Sequence, residues 1–251
     1  MNVRAALCAV LTLGASVAAV PVQAQETTSI TVMTRNLYLG ADVGPAMELL
    51  PDLGAAATFM WDQVRATDFA QRSVALATEV VQAAPDVIAL QEATTWSCAP
   101  HAWSATVPVY DFTAMLLAAL AQQGQVYSLA GAGDDVALNP GFQIGQIPGL
   151  TVVRDPAVFQ PLFGTDEAAC GFTIADAVLV RDGLTVKQAG TTEYESAYSV
   201  VPVVMTVHRG YAWADVVTHG ATVRVVATHL ESLFDAGQVP TAKEQADQLV
   251  A

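Results

Sequence analysis

Basic side chains are scarce in this sequence: 24 acids stand against 10 Lys and Arg, a formal net charge of −14, and only Lys187 and Lys243 are lysines. No Lys/Arg cluster exists that would release counterions from a phosphate backbone, and the acidic field repels bare polyanions and anionic lipid. Long apolar runs are lacking after residue 20, where nothing approaches the roughly 20 residues of a spanning helix. Cysteine is nearly absent, with Cys8, Cys98 and Cys170 alone. Cys98 and His101 are close together, but no second pair is present to complete a structural zinc site. Neither Gly-x-Ser-x-Gly nor His-Glu-x-x-His occurs, so a serine hydrolase or a zinc peptidase has no motif to rest on.

What is present points to a folded chain. A hydrophobic content of 53% with 14% charged residues, over 251 residues, suits one globular domain with a good core and argues against disorder. The N-terminus has a basic start at Arg4, an Ala/Leu/Val-rich run to Val20 and a small-residue site ending at Ala24. That is the pattern of a signal peptide cleaved after Ala24, which leaves residues 25–251 as a secreted or periplasmic domain without a transmembrane anchor. Cleavage removes Arg4 and Cys8 and no acid. Cys98 and Cys170 then sit in a compartment that permits oxidation, and a disulfide between them is expected, with two free thiols as the alternative.

Hydrophobic periodicity orders the rest. Residues 30–34 alternate as a strand ending at Arg35-Asn36; 68–83 read as an amphipathic helix opening at Asp68; and 87–90 form a short apolar run of the kind buried on both faces of a sheet. Glu92 follows that run directly. A helix over 111–123 and a strand over 125–129 come next. Residues 131–172, rich in Gly, Pro and Asp, are expected to be a long surface loop or insertion. Residues 177–180 read as a buried strand preceded by Asp176, and 200–207, 211–217 and 222–229 as successive strands, the last two joined by a hairpin turn at 218–221. A helical pattern begins at Thr241. His208-Arg209 reads as the end of a hairpin, with the rim of a phosphate site as the alternative.

Three polar residues therefore stand at the ends of apolar strands, where mixed α/β sheets place their sites: Asn36, Glu92 and His229. Their surroundings, Thr34-Arg35-Asn36-Leu37-Tyr38, Pro85-Asp86-Val87-Ile88-Ala89-Leu90-Gln91-Glu92 and Thr228-His229-Leu230-Glu231-Ser232, resemble in order and spacing the motifs of the endonuclease/exonuclease/phosphatase family. The resemblance runs from about residue 30 onward and is weakest over 95–172. It implies an α/β fold, a two-sheet (α/β/β/α) sandwich of the deoxyribonuclease I-like type, and a divalent-metal-dependent phosphoesterase.

By that resemblance Glu92 is the metal-binding carboxylate, a hard ligand for Mg2+, or for Mn2+ or Ca2+ in its place. Asn36 orients the carboxylate or a phosphate oxygen, and His229 contacts the scissile phosphate, where an imidazolium would stabilise developing charge. Apart from the resemblance, Asp176 reads either as a plain surface aspartate or as a carboxylate that orients His229, as carboxylates commonly orient catalytic imidazoles. The substrate would be a phosphoester in nucleic acid, a phospholipid headgroup or a small phosphodiester, and no obligate protein partner is evident. The family's later Gly-Asp-x-Asn and Ser-Asp-His segments have no counterpart, since none of His101, His208, His219 and His229 follows an Asp. The expectation is thus a domain lacking its last strands and motifs, with a non-catalytic binding protein as the alternative.

Overall fold

A computed structural model describes residues 29–101, 103–132, 134–147, 149–201, 205–218, 220–232 and 241–251. The expected signal segment 1–24, residues 202–204 and His219 of the expected hairpin turn lie outside them.

The helices are α1 (Val43–Glu48), α2 (Leu53–Thr67), α3 (Phe69–Ala83), α4 (Phe112–Gln122), α5 (Pro156–Phe163) and α6 (Thr241–Val250). The first nine strands are β1 (Val32–Asn36), β2 (Val87–Gln91), β3 (Thr95–Ala99), β4 (Val107–Asp111), β5 (Tyr127–Leu129), β6 (Gly131–Ala132), β7 (Asp135–Val136), β8 (Leu138–Ile144) and β9 (Val152–Arg154). The rest are β10 (Glu167–Arg181), β11 (Thr185–Glu193), β12 (Tyr198–Val201), β13 (Met205–Val207), β14 (Gly210–Thr218) and β15 (Ala221–Thr228).

Helices α1 to α5 each start on an aspartate: Asp42, Asp52, Asp68, Asp111 and Asp155 accept from backbone N–H groups of the first turn. Each satisfies a donor that the helix cannot satisfy itself. Part of the acidic excess is therefore structural.

β10 is the axis of the larger sheet. One edge pairs with β2 and β3, the other with β5, β8 and β9, all antiparallel, while β1 adds to β2 in parallel and β4 to β3. β11, β14 and β15 form a second, antiparallel sheet. Alternation along β2 and β10 separates two cores: Ile88, Leu90, Ala177 and Leu179 face the helices with Trp61, Phe112 and Leu116, whereas Val87, Ala89, Val178 and Val180 face Ala212, Ala214, Val216, Val225 and Ala227 of the second sheet. The small alanines let the two sheets approach closely. The layers are helix, sheet, sheet. The chain is an α/β two-sheet sandwich, and α6 joins it through Gln245, which bonds the Glu231 N–H and the Ser196 carbonyl.

Three sequence expectations are corrected. Residues 131–172 are not a loop: they supply β6 to β9, α5 and the start of β10. Periodicity fails there because β10 is buried on both faces through most of its 15 residues, so no polar side alternates, and because Pro140 stands in β8, a strand bonded to β10 alone. Asp176 accordingly lies within β10, not before a strand. The strand expected over 200–207 is two, β12 and β13.

Cys98 and Cys170 are disulfide-bonded. They are direct cross-strand partners of β3 and β10 with Cα atoms 4.1 Å apart, so the bridge ties two neighbouring strands and not a loop.

Candidate active site

β1 and β2 run in parallel, so Asn36 and Gln91 are register partners and their C-terminal ends open on the same side. The chain turns sharply after each. Glu92 and Tyr38 both adopt left-handed φ values of 54°, a conformation that costs a non-glycine residue about 1 kcal/mol or more and persists only where surrounding contacts enforce it. Here they do. Asn36 Nδ2 donates to Glu92 Oε1 at 2.8 Å, the Leu39 N–H donates to Glu92 Oε2 at 2.6 Å, and the Tyr38 N–H donates to Asn36 Oδ1 at 2.7 Å. Arg72 of α3 donates to the carbonyls of Leu37, Tyr38 and Thr67 and lies over the Phe69 ring at 4.8 Å, pinning the turn from behind.

The second sheet brings His229 to the same place, at the end of β15, with Nδ1 3.9 Å from Glu92 Oε1. Asn36, Glu92 and His229, remote in sequence, are thus brought together. Arg209 approaches His229 Nδ1 at 3.5 Å and lies 3.3 Å from Glu231 Oε2, both members of this buried ion pair being almost fully enclosed. A donor at Nδ1 leaves the ring proton on Nε2. Burial first, and then the Arg209 cation, lower the His229 pKa against the opposing pull of Glu92 and Glu231, so at pH 7 the resting ring is neutral and not the imidazolium expected from sequence.

Asp176 lies beneath, within the sandwich and 6% exposed. It accepts from the backbone N–H of His229, not from the ring. Burial pushes its carboxyl up to about 8, against the pull of Arg209 and of that N–H, with Glu92 raising it further. Its cross-strand partner is Asn139, and Asp176 Oδ1 and Asn139 Nδ2 are both buried without a hydrogen-bond partner among the described residues. Asn139 Nδ2 presses on Gly210, where a Cβ would meet it at 2.3 Å, so that position demands glycine.

Two further contributors are Arg209, for which the sequence favoured the wrong reading, and Asn139. Arg209 reads as a hairpin end beside His208, yet the two part company: His208 is exposed and 2.7 Å from Glu193, while Arg209 is 5% exposed at the centre of the site. Asn139 lay in the presumed loop and carried no signal at all.

Among the described residues, Glu92 is the one carboxylate that Asn36 and His229 share. Each of its oxygens accepts one hydrogen bond and keeps a second lone pair, which fits one bond to a hard cation. Among the described residues no group of three or more His, Cys, Asp and Glu gathers to hold a metal. The residues therefore fit a cation held by a single carboxylate and completed by water and substrate.

No family model matches the chain, and no curated protein does. Solved structures similar to it include an endonuclease/exonuclease/phosphatase from Beutenbergia cavernae DSM 12333, 19% identical with a TM-score of 0.46, covering 88% of this chain and 43% of that one. Others are an endonuclease/exonuclease/phosphatase family protein from Leptotrichia buccalis C-1013-b (13% identical, TM-score 0.43, 88% of this chain and 61% of that one) and a mannosyl-6-phosphatase from Bacteroides thetaiotaomicron VPI-5482 (16%, 0.42, 88% and 59%). These proteins bear the name of the family that the motifs resemble, or that of a phosphatase. This chain spans 43 to 61% of their lengths.

Proposed function

We propose that this protein is a divalent-metal-dependent phosphoester hydrolase of the endonuclease/exonuclease/phosphatase kind, exported to an oxidising compartment. The observation that carries the reading is the meeting of Asn36, Glu92 and His229 from three separate strand ends, with Glu92 held by Asn36 Nδ2 and the Leu39 N–H. Glu92 is the residue that would hold Mg2+, which when bound would neutralise phosphate charge and, in an acidic protein, reverse the local field. Asn36 fixes the carboxylate. His229 offers an Nε2 proton to a phosphate oxygen, and Arg209 behind it, itself paired with Glu231, approaches the ring at Nδ1 and fixes its orientation. The buried disulfide supports export, since such bonds persist where the surroundings are oxidising. Among the described residues no helix is long and apolar enough to cross a membrane.

A single carboxylate binds Mg2+ weakly, and the sequence has neither Gly-Asp-x-Asn nor Ser-Asp-His; slow turnover by these 251 residues is therefore expected. The test has two readouts. Mn2+ titrated into the protein should broaden the resonances of residues 36–39 and 92 selectively, and Glu92→Gln should abolish this. Hydrolysis of a bis-aryl phosphodiester, a short DNA and sphingomyelin should be EDTA-sensitive and fall about 10²- to 10⁴-fold in His229→Gln. Equal Mn2+ broadening in wild type and Glu92→Gln would defeat the reading. Metal-dependent binding of a phosphoester without turnover would assign the non-catalytic alternative.

A further inference from the structure

α1 and α2 lie across the part of the large sheet that extends past the active site, and beneath them is a cavity of about 90 Å³. Its walls include Ala46 and Met47 of α1, Met60 and Trp61 of α2, Trp96 of β3 and Phe172 of β10. The polar groups in those walls are already spent. Trp61 Nε1 donates to Asp155 and Trp96 Nε1 to the Leu39 carbonyl, each at 3.1 Å; the Thr151 hydroxyl sits between the N–H and carbonyl of Ile147; and Cys170 is in the disulfide. A water there would find none of the two to four partners it needs, so the cavity favours an apolar guest.

The size is about three water volumes, room for a few methylene groups. Two flexible methionines in the wall can adjust to a chain. The lining residues Leu50 and Thr151 are each preceded by an exposed leucine, Leu49 at 38% and Leu150 at 48%, so apolar surface continues outward beside the cavity. At the junction of α1 and α2 the exposed charge is acidic, with Asp42, Glu48 and Asp52 at the ends of α1 and the start of α2, whereas the basic side chains on other walls, Arg65 and Arg154, are paired with Asp155 and Asp166.

We propose that this cavity binds the end of an alkyl chain carrying a cationic head group, a site separate from Glu92 and independent of the hydrolase reading. The chain enters between α1 and α2, and the head remains in water against Glu48 and Asp52. Titration of the 251-residue protein with butyl-, hexyl- and octyltrimethylammonium, below micelle-forming concentrations, should shift the indole N–H resonances of Trp61 and Trp96 saturably. Affinity should rise about fourfold per added methylene until the cavity is full. Octanoate, with the same chain and the opposite charge, should bind at least tenfold more weakly. Ala57→Leu and, separately, Ala46→Val place methyl groups in the space and should each lower octyltrimethylammonium affinity at least tenfold. Absence of saturable indole shifts in the wild type overturns the proposal without any variant; octanoate binding as tightly, or undiminished binding to a folded filled variant, overturns it as well.

Discussion

Asp176 carries its carboxyl into the space between the sheets, where Asn139, Arg209 and His229 surround it. An acid with a folded-state pKa of about 8, against about 3.9 unfolded, is ionised in the unfolded chain across that window and takes up a proton on folding. Its contribution to stability is therefore complete below the unfolded value and declines as pH rises from about 4 through 8, by up to about 1.4 kcal/mol per pH unit. Asp176→Asn keeps the shape and removes the ionisation. Urea denaturation at pH 6 and pH 9 should show a smaller loss of stability in Asp176→Asn than in the wild type; equal losses would mean that the carboxyl does not titrate in this range. His229 presents the opposite case, its pKa lowered by burial and Arg209, so two titratable groups one hydrogen bond apart are driven in opposite directions by the same enclosure.

The joints between elements carry strain of their own. α3 ends at Ala84, which is left-handed at φ 43° and whose N–H closes the helix on the Val80 carbonyl at 2.8 Å. Pro85 follows and stops the helix. Glycine is the residue for such a position, and Ala84→Gly should stabilise the protein by roughly 0.5 to 1 kcal/mol. Ala83→Gly, one residue earlier and still helical, should destabilise it by about 1 kcal/mol. Thermal melts of the two variants should move in opposite directions; a shift of the same sign would remove the strain argument. At the start of α3, Asp68 was legible because an N-cap is local chemistry: its Oδ1 accepts from the Gln71 N–H three residues on. The run 87–90 was legible for the same kind of reason, being apolar on both faces and closed by Pro85-Asp86. β10 was not, because a strand that touches five others and is buried on both faces loses its alternation.

At the scale of the whole molecule, the disulfide closes a 72-residue separation between β3 and β10. In the chain-entropy account, removing it costs about 4 kcal/mol. Cys98→Ala/Cys170→Ala should lose stability of that order in urea, with the double variant no worse than the reduced wild type; a negligible loss would show that the unfolded chain keeps β3 near β10 unaided. The arrangement also explains what could be known in advance. The sequence by itself determined the local facts: the helix starts at Asp68 and Asp111, the buried strand before Glu92, the acidic balance, and the candidacy of Asn36, Glu92 and His229, because each depends on residues within a few positions of one another. Only the tertiary structure decided that the disulfide joins two paired strands, that Arg209 and Asn139 belong to the site, that the ring of His229 is neutral and Asp176 protonated, and that residues 131–172 are sheet. Those outcomes depend on register, burial and charge contributed by strands 30 to 140 residues apart, and no window along the chain contains them.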